Sequence, residues 1–311
     1  MKKLMMAVVA AGTISAFAGE SKDEGVKVDE PSIFSFYADY GFYSGYQLYG
    51  SLLNRDPVLE GYAEVRAKLA FDDWDFGSVG FGVWHNTDLT GRRANNGNFG
   101  ECSISRRAFN EVDPNLSWQK TFWFDDDNTI GLDYRMSFIW YWYPHNRASG
   151  DHAQYTTMDW NHSFALINPI VVPYVNFVHE YHESNGNLIQ FGLKREFTFA
   201  QVEGLKLTPF IEGVWRNRNY GWCFANYGNE PDYSDKLGAG LATVKLELDA
   251  EYWFTGNIGV FAKVAYCTTV DPNLREAASS VDNSNPAHFG NSVYGADKDF
   301  VWGGFGLKIA F

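Results

Sequence analysis

The sequence predicts an all-β fold: a transmembrane, antiparallel, up-and-down β-barrel of about 12 strands, within a range of roughly 10–14. Three observations predict it. Apolar and polar residues alternate with period 2 from residue 33 to the last residue, the connections between the alternating segments are by turns short and long, and the final segment ends on an aromatic with no polar tail. A strand puts successive side chains on opposite faces, whereas a helix mixes an alternating pattern around its circumference. No run of about 18–20 apolar residues occurs beyond the first twenty positions, so a helical membrane bundle is excluded.

The composition agrees. Of 311 residues, 17% are aromatic (25 Phe, 18 Tyr and 11 Trp), yet only 45% are hydrophobic overall. The mean hydropathy is −0.30. A disordered chain is poor in aromatics. Many rings in a chain that is hydrophilic on average suit a protein with two unlike faces.

The N-terminus reads as a targeting segment. Lys2 and Lys3 precede an apolar stretch from Leu4 to Phe17, and Ala16-Phe17-Ala18 fits a small-x-small cleavage site. Residues 1–18 are therefore expected to be a cleaved signal peptide, residues 19–32 an acidic periplasmic tail, and residues 33–311 a single outer-membrane barrel domain of a Gram-negative cell. No cysteine follows the apolar stretch closely, so no lipoprotein is expected. The full chain carries a net charge of −13, and loss of the two lysines makes it more acidic still. Nucleic acid is excluded as a partner, because phosphate binding needs clustered cations. Three cysteines are too few, and odd in number, for a disulfide scaffold.

Twelve segments are expected as strands: 33–43, 58–71, 77–87, 108–123, 129–143, 154–167, 171–183, 187–199, 205–219, 237–254, 257–269 and 299–311. Each covers the roughly 9–11 residues that a tilted strand needs to cross a bilayer. In the second, Ala63, Val65, Ala67 and Leu69 oppose Glu64, Arg66 and Lys68. In the fifth, Ile130, Leu132, Tyr134, Met136, Phe138, Trp140 and Trp142 oppose Asp133, Arg135 and Ser137. In the tenth, Val244, Leu246, Leu248, Ala250 and Tyr252 oppose Lys245, Glu247, Asp249 and Glu251. Connections 72–76, 124–128, 168–169, 200–204 and 255–256 are short; 44–57, 88–107, 144–153, 184–186, 220–236 and 270–298 lie between them and are mostly longer. Short periplasmic turns and longer extracellular loops have this rhythm, which places both termini on the periplasmic side. Tyr40, Tyr43, Trp74, Trp118, Trp123, Trp140, Trp142, Tyr143, Trp160, Trp253 and Trp302 sit at segment ends, as interfacial girdles require. A soluble β-sandwich or β-helix shares the alternation but does not call for that placement.

In the last segment, Val301, Gly303, Phe305, Leu307, Ile309 and Phe311 share a face. The segment resembles the C-terminal signal strand of bacterial outer-membrane barrels. That resemblance implies recognition by the barrel-assembly machinery through Phe305, Leu307, Ile309 and Phe311. ADYGFYSGYQLYG (38–50), FGVWHNTDL (81–89), NEVDPNLSW (110–118), IWYWYP (139–144) and residues 164–197 resemble the TorF-type family of porins. The family implies an outer-membrane barrel and transfers no site residues.

With the apolar face toward lipid, the other face lines a lumen. The second strand contributes Glu64, Arg66 and Lys68, with Glu60; the fourth Glu111 and Asp113; the fifth Asp133 and Arg135; the sixth Asp159. The eighth and ninth contribute Lys194, Glu196, Glu212 and Arg216, and the last three Lys245, Glu247, Asp249, Glu251, Lys263 and Lys308. A Lys or Arg facing the hydrocarbon midplane costs about 2–4 kcal/mol, which forces the assignment. The expected function is a porin-like channel for passive diffusion of small hydrophilic solutes, weakly favouring cations and without a plug domain. The expected partners are outer-membrane lipid, the assembly machinery and those solutes. The alternatives are a non-conducting structural or surface-interaction barrel and a barrel phospholipase.

No enzyme, catalytic residue, metal site or cofactor is expected. His182-Glu183-Ser184-Asn185-Gly186 resembles the strand end of outer-membrane phospholipase A, but Glu196 stands where that enzyme has its orienting Asn. Ser184-Asn185-Gly186 also reads as a tight turn. His179 and His182 diverge on a strand and so do not converge on a metal. The acidic runs 71–74 and 124–128 lack the ligand spacing of a calcium loop and read as solvated turns. Cys102, Cys223 and Cys267 all fall at the extracellular end, where either a Cys223–Cys267 disulfide or three free thiols fit.

Overall fold

The computed structural model describes residues 33–54, 57–71, 74–89, 111–147, 154–181, 185–220, 238–279 and 299–311. The signal segment, the acidic tail, Cys102, Cys223, His182 and Ser184 lie outside them. Among the described residues fifteen strands are formed. In chain order they are β1 (Phe34–Tyr43), β2 (Tyr46–Leu48), β3 (Ser51–Asn54), β4 (Val58–Phe71), β5 (Trp74–Asp88), β6 (Glu111–Trp123), β7 (Gly131–Arg147), β8 (Gln154–Ile167), β9 (Val172–Glu180), β10 (Gly186–Lys194), β11 (Phe197–Phe199), β12 (Val202–Arg216), β13 (Gly240–Trp253), β14 (Ile258–Thr269) and β15 (Asp299–Ala310). A helix, α1 (Pro272–Ser279), follows β14.

The large sheet closes on itself. Each strand pairs antiparallel with its neighbour along the chain, β10 pairs with β12, and β1 pairs with both β4 and β15. The result is an up-and-down barrel of twelve staves, since β10 and β11 lie end to end along β12 as one stave. The predicted segment 187–199 is thus split. The break faces Pro209, which has no N–H to donate, and Arg195 N–H reaches only its carbonyl oxygen at 3.3 Å. The seam between first and last strands is closed by reciprocal backbone bonds of 2.9 Å between Phe36 and Phe311.

The two faces differ as alternation requires. Val301, Phe305, Leu307, Ile309 and Phe311 all point outward, Val301 with 71% of its surface exposed. Leu246, Leu248, Phe138, Trp140 and Phe81 are likewise exposed on the outside. Inward, Glu64, Arg66, Asp133, Arg135, Lys245 and Glu247 are all buried. A closed sheet with apolar side chains outside and charges inside is an outer-membrane β-barrel.

Several girdle assignments are corrected. Trp253 turns inward, bonded to Glu251 on its own face and packed against the cluster of Tyr37 and Tyr62, and Trp123 covers Gly131 on the inner face. Tyr43 and Trp302 also point inward, stacked at 5.1 Å with their planes 5° apart. Both lie on the face opposite the apolar set of their own strand, and alternation outweighs position near a strand end. The Tyr43 ring occupies the space where a side chain on Gly304 would stand.

The connections also bring corrections. The expected turns 72–76 and 200–204 are shorter than predicted, because β5 begins at Trp74 and β12 at Val202. Loop 270–298 begins with a helix. Asp271 accepts the N–H groups of Asn273 (2.9 Å) and Leu274 (3.2 Å), and Pro272 sits at the first helical position. Loop 44–57 is not simply extracellular: its hairpin, β2–β3, folds into the barrel.

Candidate functional site

The interior wall is built from cross-strand charge pairs. On β12–β14, register places Glu212 directly beside Lys245. Lys245 Nζ lies 3.4 Å from Glu212 and 3.0 Å from Glu247, and 4.9 Å above the Phe210 ring. Lys263 extends the row, 3.9 Å from Glu247 and 4.0 Å from Asp249. Nearer the turn end, Lys308 pairs with Glu251, and Lys206 lies 3.5 Å from Glu196. On the opposite wall Glu64 pairs with Arg66 and lies 3.4 Å from Arg135, while Tyr62 donates its hydroxyl to it at 2.5 Å. Gly80 leaves the room for this group, because a side chain there would overlap Glu64 and Arg66. Asp133 accepts from Thr121 at 2.8 Å. Lys194 is buried over the Tyr174 ring. Lys68 differs: it shares the face of Glu64 and Arg66, but at the turn end it is exposed.

At the loop end, hairpin β2–β3 crosses the lumen. Its tip, Tyr49-Gly50, has φ of 52° and 75°. Two successive positive values make the tight turn typical of two-residue hairpins. Tyrosine disfavours that region, so contacts must hold it there. Tyr49 donates its hydroxyl to Asp159 Oδ2 (3.3 Å), which also accepts from Tyr141 (2.9 Å) and Tyr220 (3.0 Å). Thr243 donates to the Tyr49 carbonyl at 2.9 Å. Trp302 donates to the carbonyl of Gly45 at 2.6 Å, and the Tyr46 ring packs 5.5 Å from Trp84. These partners come from β5, β7, β8, β13 and β15, around the whole circumference. Leu48 and Tyr49 are buried in a cluster with Val178, Leu188, Val214, Tyr220, Ala242 and Leu274. No plug domain was expected, and the element that enters the lumen is a short hairpin in connection 44–57, which was expected to be an extracellular loop. Strands of three and four residues are too short for period 2 to separate from loop, and only Gly50 marked a turn.

Behind the hairpin, Arg216 reaches Asp271 at 3.4 Å, tying α1 to the wall. Arg275 of α1 donates to Asp299, and this bond holds its guanidinium even more firmly protonated than usual.

Several predicted candidates are not brought into a chemical constellation. His179 is on the outer face, donating to or accepting from Asn187 at 2.9 Å. Glu196 is engaged with Lys206. Cys267 is a buried free thiol. Among the described residues, no three His, Cys, Asp or Glu side chains are placed to hold a metal ion. The residues that sequence reasoning missed are Tyr49, Tyr141, Tyr220 and Thr243, because uncharged side chains on the inner face stand out only once a hairpin meets them.

No protein-family model matches the chain, and no curated protein matches it. Solved structures do. An outer membrane channel from Pseudomonas putida F1 superposes with a TM-score of 0.45 at 10% identity, over 94% of this chain and 100% of that one. Outer membrane phospholipase A from Escherichia coli gives 0.41 at 10% identity, over 88% and 92%. The translocator domain of the autotransporter NalP from Neisseria meningitidis gives 0.39 at 10%, over 91% and 90%. Barrels of different activity thus score alike, and the architecture rests on this chain's own closed sheet.

Proposed function

We propose that the chain is an outer-membrane channel through which small hydrophilic solutes diffuse passively along a narrow, charged path past hairpin β2–β3. One observation carries this reading: ionisable side chains line the interior, and among the described residues one short hairpin, held by side-chain hydrogen bonds, crosses it at the loop end. A barrel that serves only as a support is more economically filled with apolar side chains. The resemblance to TorF-type porins supports the same reading. So does an outward-facing C-terminal strand ending in Phe311, suited to the barrel-assembly machinery. The reading involves no catalysis and no cofactor.

The second reading is a non-conducting barrel. It is favoured by the mutual pairing of the interior charges, whose side chains on β12–β14 are almost wholly enclosed. Planar-bilayer recording separates the two. Refolded mature protein is expected to give small, steady channels. Replacing Tyr46–Asn54 by a flexible linker is expected to raise conductance severalfold. Silence from both proteins would establish the structural barrel instead.

A further inference from the structure

The interior charges are not evenly satisfied. On β12–β14 the inward carboxylates Glu212, Glu247 and Asp249 each lie within 4.0 Å of a lysine. On the upper part of β4–β8, Glu60, Asp113 and Asp159 have no lysine that close, and Lys263 acts on Glu60 only at longer range. Glu60 of β4 stands directly beside Asn86 of β5, and Asn86 beside Glu111 of β6. Two and four residues further along β6 are Asp113 and Asn115, on the same inner face. Asp159 of β8 is within electrostatic reach of Asp113. One oxygen on each of Glu60, Asn86, Asp113, Asn115 and Asp159 is buried and meets no protein donor. Asn86 is 4% exposed, Asp113 2% and Asn115 5%. Asn86 and Asn115 are the independent clue: they carry no charge to neutralise, yet each is buried with its amide oxygen unbonded.

Buried acceptors are normally satisfied, and a set of them on one wall calls for a ligand rich in N–H groups. Lys263, on β14 beyond β1 and β15, is shared by Glu247 and Asp249, and only its longer-range field reaches Glu60. The remaining neighbour is aromatic. Trp84 lies inward beside Asp113 in the β5–β6 register, with Tyr46 of the hairpin packed on it. Carboxylates and amide oxygens next to indole and phenol rings suit a planar or compact nitrogen cation.

We propose that this wall is a binding site for an organic cation bearing a guanidinium or primary ammonium group. It sits immediately below hairpin β2–β3, whose Tyr49 shares Asp159 with the wall. The proposal deepens the channel reading by naming its solute class, and it rests on that reading for solute entry.

The test uses the mature protein refolded in detergent, with agmatine as probe and calorimetry as readout. Agmatine is expected to bind saturably. Tetramethylammonium, which has the charge but no N–H group, is expected to bind at least tenfold more weakly. D113N is expected to weaken agmatine at least tenfold. That change removes a buried charge and keeps an oxygen to accept from the Trp142 backbone, so the barrel should still form, as checked by heat-modifiable gel migration. E60Q carries the same expectation should D113N fail to fold. No binding of agmatine, equal binding of both cations, or folded variants that bind as wild type would each overturn the site. Bilayer recording of the same preparation keeps the two readings apart. Binding without conductance leaves the site and removes the channel; conductance without binding does the reverse.

Discussion

Lys245 shows what one interior residue does. It is 1% exposed and serves two carboxylates at once. Truncating one partner of a buried ion pair costs about 3–5 kcal/mol, because the other charge stays behind. Lys245→Ala should lose that much in urea unfolding of the refolded barrel. Lys245→Ala combined with Glu212→Gln and Glu247→Gln should recover part of the loss. Alternation made Lys245 legible as an inner residue, but its partner on β12 was not, since register across strands is absent from a single sequence. Asp125, in the turn after β6, is a case at the wet end. Its carboxylate accepts the Thr129 hydroxyl and the N–H groups of Thr129 and Ile130 at 2.9–3.2 Å and 3.0 Å. The hydroxyl bond above all, with those N–H groups, holds its pKa below the ordinary 3.8. A lowered carboxylate pKa gives stability that is complete above the ordinary value and disappears as pH falls through the lowered one. Asp125→Ala should therefore melt below wild type at neutral pH, with the gap closing only as pH falls below about 4. Thermal melts across pH measure it.

Among the elements, strands were the most legible and the two that leave the strand pattern were the least. α1 exists because Asp271 caps it, yet the surrounding Asn-, Gly- and Ser-rich stretch reads as loop. Loss of such a cap costs about 0.5–2 kcal/mol, and Asp271 also holds Arg216. Asp271→Ala should accordingly speed hydrogen exchange at residues 273–276 while leaving β12 and β13 protected. Hairpin β2–β3 was written in the sequence only as a Tyr-Gly turn. Its position follows from what Tyr49 finds on arrival: a carboxylate already held by Tyr141 and Tyr220. Tyr49→Phe removes one hydroxyl from that group and should destabilise the docked hairpin without unfolding the barrel. Cysteine labelling of a Gln47→Cys variant in the background of Cys-free protein, faster in Tyr49→Phe, would report it.

At the scale of the molecule, the barrel is a solution to two solvents. Closure pairs every strand edge, which a bilayer demands because lipid offers no hydrogen bonds. An outward charge then has nowhere to go. Leu248→Arg, on the lipid face of β13, should cost about 2–4 kcal/mol in folding into vesicles. An arginine in place of the exposed Glu203, at the wet end of β12, should cost far less. The sequence by itself determined the strands, which of their faces meets lipid and the even-stranded closure. All of these follow from a period set by the backbone and read locally. Only the tertiary structure decided which charges pair, which aromatic rings turn inward, and that the first long connection enters the lumen. Those depend on strands meeting across a closed sheet, as Glu64 meets Arg135 and Tyr49 meets Asp159, and no local period records such a meeting.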